Sequence, residues 1–198
     1  MVATITQEPK VVAKNGQNGT SKKITWEQFQ RQYLSREDGF KYEWLNGVVE
    51  KTECIMDYKQ LQIVENILAF FDELKMLKNI KGRMHEEVDT FFDTHHRRPD
   101  ICFISTEQLK KIQTEAPVPS FVVEIISTTD RINRVNRKVD DYFNAGVKVL
   151  WHIFPESKKV HIFESNKGSL ICSGADLCSA EAAIEGFIMS ADAVFENA

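Results

Sequence analysis

The 198-residue chain has no CxxC pair among its four cysteines, Cys54, Cys102, Cys172 and Cys178. Three of them sit in apolar stretches where a small hydrophobe would serve equally well, a pattern that fits a reduced, cytoplasmic setting. Long apolar runs are also missing. Phe121-Val122-Val123 and Ile125-Ile126 are far too short to span a bilayer, which excludes a membrane helix. There is no excess of positive charge: 25 Lys and Arg against 29 Asp and Glu leave a net charge of −4. Nucleic-acid binding through bulk charge alone is thereby excluded, and any DNA contact must be a local patch. The sequence contains no Gly-rich phosphate loop, no Gly-x-Ser-x-Gly elbow and no persuasive Cys-His pair, so serine or cysteine hydrolysis has no support. His85-Glu86-Glu87 lacks the second histidine of a zinc-protease helix.

What is present reads as one ordinary globular domain. With 42% apolar and 27% charged residues, the chain is long enough to bury a core without staples. Residues 1–23 mix Gln, Asn, Gly, Thr and Lys without a continuous apolar segment, and read as a disordered lead before a single domain over 24–198. The Asn18-Gly19-Thr20 sequon is read as chance, in the absence of a secretory signal.

Thr25 with Gln28 makes a capping box, predicting a helix from Trp26 to about Leu34. Asn46-Gly47 between Lys41-Tyr42-Glu43-Trp44-Leu45 and Val48-Val49-Glu50 predicts a hairpin. Leu61, Val64, Leu68, Phe71 and Leu74 recur at helical spacing and predict a long helix from Asp57 to about Lys78 that covers a sheet, with Gly82 beyond its end. Arg83 to Phe92 leads into a polar turn holding His95-His96-Arg97-Arg98, which reads as a solvated loop. Pro99 to Ile104 is bounded like a buried strand, a short helix follows over Ser105 to Ile112, and Phe121 to Ile126 reads as the centre of a sheet covered on both faces. Asn133 to Asn144 is helical and stops at Gly146, Val147 to Phe154 and Lys159 to Glu164 are strands about a Pro155 turn, and Leu170 to Cys172 and Ile184 to Met189 add short strands. The fold class is α/β (α+β): a central mixed sheet flanked by helices.

Two of these apolar strands each carry one acid, Asp100 and Glu124. Burying an unpaired carboxylate costs several kcal/mol, so each needs a cation, a metal or a wet cleft. A structural salt bridge would satisfy one acid, but two on neighbouring strands repel unless something positive lies between them. A divalent metal is the economical answer, and oxygen-only ligands suit Mg²⁺ or Mn²⁺. Arg131, Arg134, Arg137 and Lys138 crowd the next helix, with Arg131, Arg134 and Lys138 on one face. They read either as a phosphate clamp or as a solvated basic face, and Lys138 can reach the acids if its helix packs over the Glu124 strand.

Lys41-Tyr42-Glu43-Trp44-Leu45-Asn46-Gly47, Arg98-Pro99-Asp100-Ile101-Cys102-Phe103-Ile104, Phe121-Val122-Val123-Glu124-Ile125-Ile126-Ser127, Lys138 with Tyr142, Ala145-Gly146-Val147 and Glu185-Gly186-Phe187 form an ordered set. Over residues 24–195 that set resembles the Uma-type restriction endonucleases of the PD-(D/E)xK nuclease superfamily. The resemblance implies a restriction-endonuclease-like fold, hydrolysis of DNA phosphodiesters with Mg²⁺ or Mn²⁺, and a homodimer. It implies that Glu43, Asp100 and Glu124, with the carbonyl of Ile125, hold the metal. Ile126 stands where the superfamily's usual lysine would be, and Lys138 substitutes for it. Arg98, Arg131, Arg134 and Arg137 are the candidate DNA contacts. Gln60 stands where relatives have His, Ser127-Thr128-Thr129 where they have Ser-Pro-Ser, and Arg134 where they have Asp. The competing expectation is a silent nuclease-fold module that binds DNA or protein.

Overall fold

The computed structural model describes residues 23–53, 57–92, 94–112, 116–128, 130–165 and 168–198. Apart from Lys23, the expected disordered lead with its sequon lies outside them, as do Cys54 and Thr129. The Thr25/Gln28 capping box opens α1 (Trp26–Phe29), which continues as one wider π turn over Gln30–Leu34. β1 (Phe40–Leu45) and β2 (Val48–Glu53) form the expected antiparallel hairpin, with Asn46 and Gly47 at φ 47° and 92°.

α2 (Tyr58–Lys78) starts on a second capping box, Asp57 with Gln60. Its end differs from the expectation: Asn79, at φ 53°, makes the left-handed cap, and Gly82 instead begins β3 (Gly82–Glu86). Its buried stripe is Ile63, Val64, Ile67 and Phe71, while Leu61 is 45% exposed. Ile63 and Ile67 close a narrower arc with Val64 and Phe71 than Leu61 does, and the sheet takes one such arc.

The next segment, β4 (Thr90–Phe92) and β5 (His95–Arg97), corrects the reading of His95 to Arg98 as a solvated loop, since His96 is 1% and Arg97 0% exposed. Carboxylates from other strands and helices make that burial affordable, as described below. Then follow β6 (Ile101–Ser105), α3 (Thr106–Lys110), β7 (Phe121–Ile125), α4 (Ile132–Ala145), β8 (Val149–Phe154), β9 (Lys159–Glu164) and β10 (Gly168–Ser173). β11 (Leu177–Ser179), β12 (Ile188–Ser190) and α5 (Ala191–Val194) close the chain. Gly146 ends α4 at φ 104°, as its position after the helical run predicts.

The main sheet has six strands in the order β10-β9-β8-β7-β6-β3, with β7 and β8 parallel and the other neighbours antiparallel. This is the mixed sheet expected. A second, antiparallel sheet of four strands in the order β2-β1-β5-β4 was not foreseen. β7 is interior and buried along its whole length. Its alternation assigns Phe121, Val123 and Ile125 to the face covered by α2, where they join Ile63, Ile67 and Trp151. Val122 faces α4 with Cys102, Leu150 and Tyr142, and Glu124 follows it onto that side. Among the described residues no helix is long and apolar enough to cross a membrane.

β3 tests how tightly this sheet is packed. A Cβ on Gly82 would lie 2.3 Å from Cζ of Phe103 and 2.8 Å from the carbonyl oxygen of Ile104. Gly82→Ala should therefore cost about 1–3 kcal/mol of stability by overpacking, read from urea unfolding. An unchanged midpoint would contradict this packing.

Candidate metal and phosphodiester site

The site lies between the second sheet and α4, and strand alternation decides what enters it. On β1, Lys41 and Glu43 share one face, while Tyr42 and Trp44 turn to the aromatic side, against Tyr33 and Trp26 respectively. On β5, His96 joins that aromatic side, 5.2 Å from Phe29 and 5.0 Å from Phe91 between ring centroids, and Arg97 takes the opposite face.

Glu43 pairs directly with Glu50 across the β1/β2 ladder. Like charges directly opposite repel, and one nitrogen of Arg97 relieves both, lying 2.9 Å from Glu43 and 3.3 Å from Glu50. The other terminal nitrogen of Arg97 is paired with Asp141 of α4. Glu43 also accepts the backbone N–H of Arg98 at 3.1 Å. Burial alone would raise the Glu43 carboxyl, but Lys138, Arg97 and Lys41 outweigh it and hold it down to about 2.

Asp100 lies one residue before the Ile101/Val123 pair of the β6/β7 ladder, level with Glu124 on the neighbouring strand. Its Oδ2 accepts the backbone N–H of Ile125 at 2.7 Å, and its Oδ1 accepts from the Lys41 ammonium at 2.6 Å. Glu124 is held at both oxygens: the Tyr142 hydroxyl donates to Oε1 at 2.6 Å and the Lys138 ammonium to Oε2 at 2.7 Å. The same ammonium stands 3.7 Å from Glu43. Burial raises the Glu124 carboxyl, and the charges of Asp100 and Glu43 add to that, against Lys138 and Lys41. The two lysines are stabilised as cations: burial opposes their charge, yet the surrounding carboxylates hold both above their ordinary values. Next to Glu124 across the β7/β8 pair stands buried His152, whose burial, with Lys138 and His161 nearby, keeps it neutral down to about 3.

The candidate residues thus separate into those the structure brings together and those it does not. Glu43, Asp100, Glu124 and Lys138 converge, and Ile125 contributes its amide to Asp100. Arg134 and Arg137 both reach Glu50, at 3.3 and 3.1 Å, and Arg134 also donates to Thr52. The α4 face is therefore Arg134, Arg137, Lys138 and Asp141, instead of Arg131, Arg134 and Lys138. Arg131 stands at the N-cap position of α4 with no capping bond from its side chain and is exposed, and Arg98 donates to the carbonyl of Glu87. Lys41 and Arg97 belong to the site although sequence reasoning passed over both. The available signal was period-two spacing: Lys41 stands two residues before Glu43 on a strand.

The donor set fits a hard divalent cation: three carboxylates from three elements, oxygen only, gathered around positive charge. Among the described residues, no three Asp, Glu, His or Cys side chains stand close enough to grip an ion as they lie, and the three acids are instead paired with the ammonium groups of Lys41 and Lys138. Arg97→Met should leave Glu43 and Glu50 facing each other without the cation they share, with Arg134 and Arg137 still on Glu50 and Lys138 3.7 Å from Glu43, and should strip Asp141 of its guanidinium. The expected loss is about 3–5 kcal/mol in urea unfolding, and a loss below about 1 kcal/mol would contradict the bridging role.

A family model described as "Putative restriction endonuclease" (Uma2) matches residues 26–192. Five solved chains are similar. One is a "putative nuclease belonging to DUF820" from Anabaena variabilis, 16% identical, with a TM-score of 0.74 over 87% of this chain and 97% of that one. No curated protein matches. At that identity the structural likeness establishes the fold, and it is the restriction-endonuclease-like fold that the ordered motifs imply. With the match extending over nearly all of the described chain, from α1 into α5, the chain belongs to the Uma2 family.

Proposed function

We propose that this chain is a metal-dependent DNA endonuclease that hydrolyses phosphodiester bonds, with Mg²⁺ as its ion and Mn²⁺ able to replace it. The observation that carries the reading is the placement of Asp100, one residue before β6, level with Glu124 of the neighbouring β7, with the Lys138 ammonium 2.7 Å from Glu124, in a chain of this family. Glu43, Asp100 and Glu124, with the carbonyl of Ile125, would hold the ion. When bound, it would lower the pKa of a coordinated water and offset charge on the scissile phosphate.

The chain's own groups do the rest. The Ile125 amide and the Tyr142 hydroxyl fix the rotations of Asp100 and Glu124, so the site is ordered before substrate arrives. Lys138, with its side chain 12% exposed, presents positive charge at the edge of the acids, where it can orient an attacking water or meet phosphate charge. Arg131, exposed, Arg137, 49% exposed, and Arg98, 34% exposed, are the proposed contacts to neighbouring DNA phosphates, with Arg134 behind them on Glu50. Cutting both strands of a duplex with one such site per chain calls for two copies, and the proposal includes a homodimer.

One observation favours a second reading, a silent nuclease-fold module that binds DNA or protein: each of the three acids already has a basic partner. Incubating the protein with supercoiled DNA at low salt separates the two. The endonuclease reading expects nicking that needs Mg²⁺ or Mn²⁺ and falls by about 100-fold or more in Asp100→Asn and in Lys138→Met. Wild-type rates in Asp100→Asn would overturn it. A folded wild type that binds DNA without cutting would establish the silent module.

A further inference from the structure

Sequence and family reasoning expect one lysine at the acids, and the structure holds two. Lys138 approaches Glu124 and Glu43 from α4, while Lys41 approaches Asp100 from β1. The Lys41 ammonium is 2.6 Å from Asp100 Oδ1 and 4.0 Å from Glu87, with its side chain only 11% exposed. The other oxygen of Asp100 is taken by the Ile125 amide at 2.7 Å. Because that amide belongs to β7, held in the sheet beside β8, Asp100 cannot turn to offer a different edge without breaking the bond. A cation that binds Asp100 must therefore share an oxygen with that amide or displace the Lys41 ammonium.

We propose that Lys41 is a resident counter-ion: in the metal-free protein its ammonium holds the place against Asp100 that a divalent cation takes, so Lys41 and the metal compete for Asp100. The inference rests on reading the acids as a metal centre, and goes beyond it by assigning the residue that sets the affinity. Coulomb repulsion is the physical reason for competition. An ammonium and a divalent ion on the same carboxylate would lie only a few ångströms apart in a largely buried site, where repulsion is poorly screened. Metal uptake must break the short charge-assisted bond and swing the Lys41 stem aside. Without metal, the same bond keeps Asp100 paired and the site closed. Lys138 contacts Glu124 and Glu43, so Lys41 is the lysine paired with Asp100.

The test is Mn²⁺ binding by the full chain without DNA, followed by electron paramagnetic resonance and calorimetry. Wild type is compared with Lys41→Met, which keeps the stem and removes the charge, Lys41→Arg, which keeps the charge, and Asp100→Asn. Lys41→Met should bind Mn²⁺ more tightly, on the order of tenfold, and gain more thermal stability from it than wild type does. Lys41→Arg should stay near the wild-type affinity, and Asp100→Asn should lose binding. If Lys41→Met does not fold without metal, Lys41→Gln supplies the uncharged variant, retaining a donor to Asp100. Equal or weaker Mn²⁺ binding by a folded uncharged variant would overturn the counter-ion role while leaving the metal centre standing. An absence of binding in both wild type and the uncharged variant would overturn the metal centre, and the counter-ion role with it.

Discussion

The Arg97 guanidinium, fully buried and shared among Glu43, Glu50 and Asp141, is the interaction on which the site depends. It joins β5 to β1, β2 and α4 through a single planar group. A lysine could not replace it, because a point charge cannot reach three carboxylates in fixed directions. It also makes the second sheet tolerable: without it, the Glu43/Glu50 pair would place two negative charges side by side in a buried ladder. Burial of this kind is rarely the most stable solution, and a well-packed apolar pair would often serve stability equally well. The persistence of so much paired charge in one place is consistent with a chemical use for it.

β1 and β5 separate two environments. One side is an aromatic cluster, in which Trp26 lies 5.5 Å from Phe29 and 5.1 Å from Phe91 between ring centroids. The other is the ionic cluster built around Arg97. The apolar side anchors the small sheet, so the charged side need not provide its stability alone. On the main sheet the division recurs within one strand: Phe121, Val123 and Ile125 enter the α2 core, and Glu124 projects to the Tyr142 and Lys138 side. One residue of register would exchange these environments, so the apolar face that fixes the register also fixes the position of the acid.

Much of this arrangement could be read from the amino-acid order. Asp100 and Glu124 stand out because carboxylates interrupt strands that are otherwise apolar, and Lys138 because helical spacing carries it back over them. The hairpin at Asn46-Gly47 and the capping box at Thr25 have local causes and form as expected. What could not be read depends on distant partners. His95-His96-Arg97-Arg98 looks like a solvated turn because the burial of Arg97 rests on Glu43, Glu50 and Asp141, and that of His96 on Phe29 and Phe91 among others, most of them far away in sequence. Arg98 drew the attention that belonged to Arg97 for the same reason: alternation could show that the two point to opposite sides, but not which side was charged. Lys41 was hidden because a lysine on an exposed-looking hairpin is ordinarily solvated.

On the proposed reading, these acids are arranged around a cation, supplied by lysine until a metal replaces it. Crystals soaked in Mn²⁺ and measured for anomalous scattering test it most directly. The expected result is a single strong peak in contact with Asp100 and Glu124, with the Lys41 ammonium moved away from Asp100. A saturating soak that leaves no peak there, with Lys41 still on Asp100 and Lys138 still on Glu124, would contradict it and make the cluster a structural ion network.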